Sequence, residues 1–134
     1  PMPALGFAFG IERVMLVMKK QRVTPPADDR CEVFIASIGE KAQEKAFSLA
    51  CTLRDSDFVA MCDLNGRSLN AQMKYANKIK AEYTLVIGDD ELENGKAFIK
   101  NMDTGERRKI DLGGGFADDC IQIITEDEDT VLDF

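Results

Sequence analysis

"CEVFIASIGEKAQEKAFSLACTLRD", residues 31–55, carries two hydrophobic periods in direct succession. The first seven residues, "CEVFIAS" (31–37), form an apolar run rich in β-branched and aromatic side chains, the signature of a strand buried on both faces. Gly39 breaks the run. Over residues 40–55, Ala42, Ala46, Leu49, Ala50 and Leu53 recur at intervals of three and four, which places them on one face of a helix. A fully buried strand feeding an amphipathic helix is the first half of a β-α-β unit, and the rest of the chain reads outward from it.

Toward the C-terminus the alternation continues. "FVAMC" (58–62) is a second short strand, and Asn65-Gly66 turns the chain. Ser68 is a candidate N-cap for a helix over 69–80, with Leu69, Met73, Ala76 and Ile79 directed inward. "YTLVI" (83–87) is a third strand. "KAFIKNM" (96–102), after Asn94-Gly95, and "RRKIDL" (107–112), after Asp103-Thr104-Gly105, are two more strands joined by tight turns. The order predicts an α/β fold with a mixed five-stranded sheet and flanking helices. Helical crossovers make the first three strands parallel, and hairpin turns make the last strands antiparallel at an edge.

Toward the N-terminus, residues 5–9 read as a buried strand. Residues 10–20 read as a helix with Ile11, Met15 and Met18 on one stripe and Val14 and Val17 beside it. "QRVTPPADDR" (21–30) holds two prolines flanked by charges, a linker signature. The expected division is residues 1–24, a linker at 25–30, a domain over 31–112 and an acidic extension over 113–134. Gly113, Gly114 and Gly115 serve as a hinge, and the extension carries one helix or strand over 120–124 before a frayed end. Exposed in isolation, Phe7, Phe9, Val14, Met15 and Val17 would drive residues 1–20 to fold back on the domain or to pair between chains.

Charge and composition remove several classes of function. The net charge is −7, yet residues 110–134 hold eight acids and no Lys or Arg, so residues 1–109 carry +1. The acidity belongs to the tail, read as a solvated end, and an anionic ligand remains open to the body. The chain has no histidine, which excludes Ser-His-Asp and Cys-His nucleophile activation within it. Cys31, Cys51, Cys62 and Cys120 show no zinc spacing and read as reduced core thiols, so no metal site is expected. "GDDELENG" fails the calcium-loop spacing. No apolar run reaches membrane length, and Arg13, Lys19 and Lys20 lie within or after the N-terminal apolar run rather than before it, unlike a secretion signal. A cytoplasmic location without membrane contact is expected.

Two stretches suggest binding chemistry. In "GFAFGIERVM" (6–15), small residues permit a flat ring to lie against the backbone, and Arg13 at the strand–helix junction can reach a phosphate. The same pattern also describes close packing and an exposed helix start. Residues 67–109 hold nine Lys and Arg against seven Asp and Glu, too slight an excess for purely electrostatic capture of nucleic acid. Arg67, Gln72, Lys74 and Lys78 lie on or beside the polar side of the 69–80 helix, where they also fit a solvated surface. Tyr75 on its flank could stack a base or simply pack. Glu91 could accept from guanine or cytosine, or belong to a polar turn.

"GFAFGIERV" (6–14) closely resembles motif 3 of the class II aminoacyl-tRNA synthetases in its histidyl form. "DLNGRSLNAQMKYANKIKAEYTLVIGDDELENGKAFIKNMDTGE" (63–106) resembles the anticodon-binding domain of the same family, and the likeness runs over nearly all of residues 4–112. It implies that Arg13 binds the ATP triphosphate as a catalytic residue, with Gly6, Ala8 and Gly10 lining the ATP and histidine pocket. It implies that Gln72, Glu91 and Lys100, with Arg67 and Lys78, face the anticodon. The remaining catalytic motifs of the family are absent, so the chain resembles a C-terminal piece. ATP and Mg2+ would serve the full-length enzyme, no cofactor is expected on the piece itself, and alone it should be inactive. The implied partner is the anticodon loop of histidine tRNA, not DNA, in a parent enzyme that is a homodimer. Two alternatives stand beside this: a protein-interaction module of the same fold without RNA binding, and an independent nucleotide-binding enzyme resting on Arg13.

Overall fold

The computed structural model describes residues 3–24 and 30–132. Helix α1 (Ile11–Gln21) comes first and is followed by strand β1 (Val33–Ser37), helix α2 (Glu40–Asp55), strand β2 (Ala60–Cys62) and helix α3 (Leu69–Lys78). Strand β3 (Tyr83–Ile87), helix α4 (Asp89–Asn94), strands β4 (Lys96–Asn101) and β5 (Arg107–Asp111), and helix α5 (Phe116–Leu132) complete the chain.

The five strands form one sheet in the order β2-β1-β3-β4-β5. β1 pairs in parallel with both β2 and β3, while β3-β4 and β4-β5 are antiparallel, as the element order predicts. The first crossover moves from β1 to one side and the second returns across β1 to the other. Right-handedness then forces α2 and α3 onto opposite faces.

Under α2 lies the larger core. All five residues of its predicted apolar face are buried, packed with Val33, Ile35, Leu85, Ile87, Ala97, Ile99 and Ile110 from four strands. Full burial of each large aliphatic side chain is worth about 1.5–3 kcal/mol. α3 covers Phe34 and Ala36 with Ala76, supported by half-buried Leu69, Met73 and Ile79. Ser68 occupies the N-cap position of α3, but its side chain makes no capping bond.

The N-terminal segment departs from expectation. Residues 3–10 form no strand and are exposed, because no sheet edge among the described residues pairs with them. Helix α1 forms as predicted, yet none of its residues is buried, so the segment does not fold back into the core. Phe7 and Phe9 are exposed and meet edge to face, ring centroids 5.5 Å apart. Of the expected linker, residues 25–29 lie outside the described residues, and Arg30 is bound through its guanidinium to the Lys80 carbonyl.

The polar stretch after β3 is a helix rather than a turn. The Glu91 carboxylate reaches back to accept the Gly88 N–H at 2.9 Å, satisfying one orphan donor at the start of α4. Asp89, Asp90 and Glu91 complement the positive end of the short helix dipole. Gly95 closes α4 at φ 64°, a left-handed conformation that glycine adopts without strain, and hands the chain directly to β4.

The acidic extension is likewise ordered. Phe116, Cys120, Ile123 and Ile124 fall at helical spacing and are buried in the larger core beside α2. That apolar stripe outweighs the charge run, and Asp118, Glu126 and Asp129 lie exposed on the other faces of α5. The four cysteines are free thiols, two of them buried. Burial pushes Cys31 up to about 11 and Cys120 up to about 12, so both stay protonated and inert at neutral pH.

Candidate nucleic-acid interface

Strand β4 alternates strictly. Ala97 and Ile99 are buried toward α2 and α5, so Lys96, Phe98 and Lys100 point to the opposite face. β5 does the same: Arg108 and Ile110 face the core side, and Arg107, Lys109 and Asp111 face away. The register sets Phe98 opposite Lys109, Lys100 opposite Arg107 and Lys96 opposite Asp111. α3 packs over β1 and β3 and leaves β4 and β5 uncovered on this face. Phe98 is therefore 57% exposed in the middle of a sheet.

A groove runs along the uncovered face. Met73 of α3 forms one wall, Thr84, Val86, Phe98 and Lys100 form the floor, and Glu91 of α4 and Arg107 of β5 close it. A second recess adjoins it, lined by Asp90, Glu91, Asn94, Lys96, Phe98 and Lys109. Phe98 and Glu91 border both. Among the described residues, Lys96, Lys100, Arg107 and Lys109 form no ion pair. The arrangement offers an aromatic face for stacking, four uncompensated cations for phosphates and a carboxylate for a base edge. One oxygen of Glu91 is held by Gly88, which fixes the direction of the other.

The sequence candidates divide. Glu91 and Lys100 meet in the groove. Lys78 is exposed near the C-terminal end of α3, and Lys74 is exposed one turn before it. Gln72 is not on the polar side of α3 as expected: it is fully buried. Its carboxamide oxygen accepts the Ser37 N–H at 2.9 Å, and its nitrogen donates to the Ser37 carbonyl at 2.8 Å and the Arg67 carbonyl at 2.6 Å. The amide completes the hydrogen bonding at the end of β1, and its donors are fully used. A glutamine at an inward helical position is favourable where a strand end leaves backbone groups unpaired.

Arg67 is also committed. Its backbone N–H and its guanidinium both bind the Asp63 carboxylate, and the guanidinium lies 4.8 Å from the Tyr75 ring centroid. Burial of Asp63 opposes its ionisation, but the Arg67 hydrogen bonds and charge win and hold its carboxyl below the usual range. Tyr75 is half-buried between that guanidinium and Phe34, ring centroids 5.9 Å apart, so it packs rather than presenting a free face.

Gly6, Ala8, Gly10 and Arg13 lie on the exposed N-terminal strip. A side chain added at Gly6 would meet nothing within 4 Å, and one at Gly10 would touch only Arg13 Cβ. These residues do not enclose a nucleotide: the strip is open on its described sides and does not by itself fit ATP.

Sequence reasoning missed Phe98, the central residue of the groove, together with Lys96, Arg107 and Lys109. The period-2 pattern of "KAFIK" was a usable signal, since it sets an aromatic between two lysines on one face. Whether a helix covers that face is decided by topology.

The class follows from the architecture: a small α/β domain with three parallel and two antiparallel strands, one sheet face left open at the antiparallel edge. The chain belongs to the anticodon binding domain family, whose model matches residues 32–115. It is 47% identical over 112 residues to a histidine–tRNA ligase of Acetivibrio thermocellus, covering 84% of this chain and 27% of that protein. It is 47% identical over 110 residues to the histidine–tRNA ligase of Clostridium perfringens strain SM101, covering 82% and 26%. The chain thus spans about a quarter of the length of these curated relatives. Among solved structures it is similar to the apo histidyl-tRNA synthetase of S. aureus, with TM-score 0.64 and 35% identity over 81% of this chain and 31% of that one. It is also similar to the RNA binding domain of threonyl-tRNA synthetase from Cryptosporidium parvum, with TM-score 0.57 and 25% identity over 63% and 21%.

Proposed function

We propose that the chain is the anticodon-reading part of a histidine–tRNA ligase and binds the anticodon loop of histidine tRNA through the groove beneath α4. The observation that carries this reading is Phe98, exposed on an open sheet face between unpaired Lys96, Lys100, Arg107 and Lys109 and bordered by Glu91. Unpaired anticodon bases can stack on the ring while their phosphates meet the cations, and Glu91 selects among bases by accepting from an exocyclic amine. Gln72 and Arg67 support this surface by fixing α3 against β1 and do not touch the base. Lys78 acts at a distance, as a charge for the phosphate backbone.

The family likeness extends the reading to the larger enzyme, a cytoplasmic homodimer that uses ATP and Mg2+. There Gly6, Ala8, Gly10 and Arg13 would line the ATP and histidine pocket once other segments enclose them. The 134-residue chain alone would not form histidyl-adenylate. The direct test is a filter-binding titration of the chain with histidine tRNA and with the same tRNA carrying a swapped anticodon. The cognate tRNA should bind at least tenfold more tightly at physiological salt, and Glu91→Gln should erase most of that preference while weakening total binding less. Equal affinity for the two tRNAs would refute the reading.

A further inference from the structure

On the far side of the sheet from the groove, the acidic helix α5 makes polar contacts to the strands through Asp127 and Glu126. The Asp127 carboxylate accepts three hydrogen bonds from three strands: from the Tyr83 hydroxyl of β3 at 2.9 Å, the Asn101 amide of β4 at 2.9 Å and the Arg108 guanidinium of β5 at 2.7 Å. Glu126 accepts a second Arg108 bond at 2.7 Å. Asn101 is the pivot of this cluster. Its nitrogen donates to Asp127, while its carbonyl oxygen accepts the N–H groups of Asp103 and Thr104, at 2.9 and 3.0 Å. That oxygen caps the turn joining β4 to β5. The amide can make both sets of bonds in only one of its two orientations, and the carboxylate selects it.

We propose that Asp127 is a positioning residue for nucleic-acid binding: it locks the Asn101 carboxamide and so holds the β4–β5 hairpin in the register that presents Phe98, Lys100, Arg107 and Lys109. This rests on the groove being the RNA-binding surface. The domain-family match ends at residue 115, so the helix that supplies Asp127 lies beyond it. The acidic segment is then part of the reading unit, although it never meets the ligand. One carboxylate serves two ends: it neutralises Arg108 on the covered face and leaves Arg107 and Lys109 uncompensated on the open one.

The test uses the whole chain and a transcript of the histidine tRNA anticodon stem–loop. Asp127→Asn places an amide where Asn101 and Arg108 both donate. It should weaken binding about fivefold and speed hydrogen exchange at Asp103 and Thr104, with α5 still helical by circular dichroism. The double variant Asn101→Asp, Asp127→Asn reverses donor and acceptor across the pair, keeps the turn cap and conserves net charge. It should recover most of the wild-type affinity. Recovery is the readout that loss of helix packing would not give, and loss of one negative charge by itself would tighten RNA binding in the single variant rather than weaken it. Unchanged affinity in Asp127→Asn, or a double variant no better than the single, overturns the proposal. If Asp127→Asn does not fold, Tyr83→Phe removes one of the three donors and should weaken binding about twofold, and an unchanged affinity there overturns it equally. Failure of the wild-type chain to prefer the cognate loop would instead strike the reading of the groove itself.

Discussion

The two sides of the β4–β5 ribbon share the same eleven strand residues of backbone and differ in almost everything else. Arg107 and Lys109 face outward over an open groove, while Arg108, between them in sequence, is engaged by Glu106, Glu126 and Asp127. Phe98 is exposed and its neighbour Ile99 is buried. The pleat assigns neighbouring residues to opposite faces, and only one face receives a helix. The chain of net charge −7 can still offer cations on its open face, because six of its 24 acids lie on α5, on the other side of the sheet. Net charge is a poor guide where a sheet separates the signs.

The comparison can be broken or sharpened by substitution. Its largest expected effect is on the covered side. Ile110→Ala removes a side chain at 2% exposure from the larger core and should lower unfolding free energy by about 2–5 kcal/mol in urea titrations. Phe98→Ala on the open side should leave the urea midpoint nearly unchanged and weaken anticodon stem–loop binding by about 1–3 kcal/mol, measured by filter binding. If Phe98→Ala were the more destabilising of the two, the distinction between structural and functional faces would fail. The smallest effect is electrostatic. Arg107→Gln and Lys109→Gln should each reduce the slope of log affinity against log salt by about 0.7, with little change in anticodon preference. A slope that stays at the wild-type value in both variants would show that the phosphates run elsewhere.

The strand-by-strand course of the fold was legible because its signals are local. "CEVFIAS" and "YTLVI" declare buried strands, and the apolar face of α2 matches the observed one residue for residue. The site was only partly legible. Gln72, Glu91 and Lys100 were all placed by family likeness; Glu91 and Lys100 do meet in the groove, whereas Gln72, also read by its polarity as lying on or beside the outer side of α3, is fully buried. A buried glutamine looks polar in sequence, and the reason it is buried lies 35 residues away, in the unpaired backbone groups of Ser37. The acidic extension misled similarly. Its run of seven acids reads as a solvated tail, yet the spacing of Phe116, Cys120, Ile123 and Ile124 decides its packing.

Local periodicity and turn chemistry, carried in the sequence itself, determined the elements, their order and the parallel-then-antiparallel pairing, because hydrophobic spacing and short connections act over a few residues and admit few topologies. Tertiary structure alone decided which face of β4 and β5 stays open, that Gln72 turns inward, and that Asp127 closes on Tyr83, Asn101 and Arg108. Those outcomes depend on which helix covers which strands, and that coverage comes from right-handed crossovers and packing between residues distant in the chain.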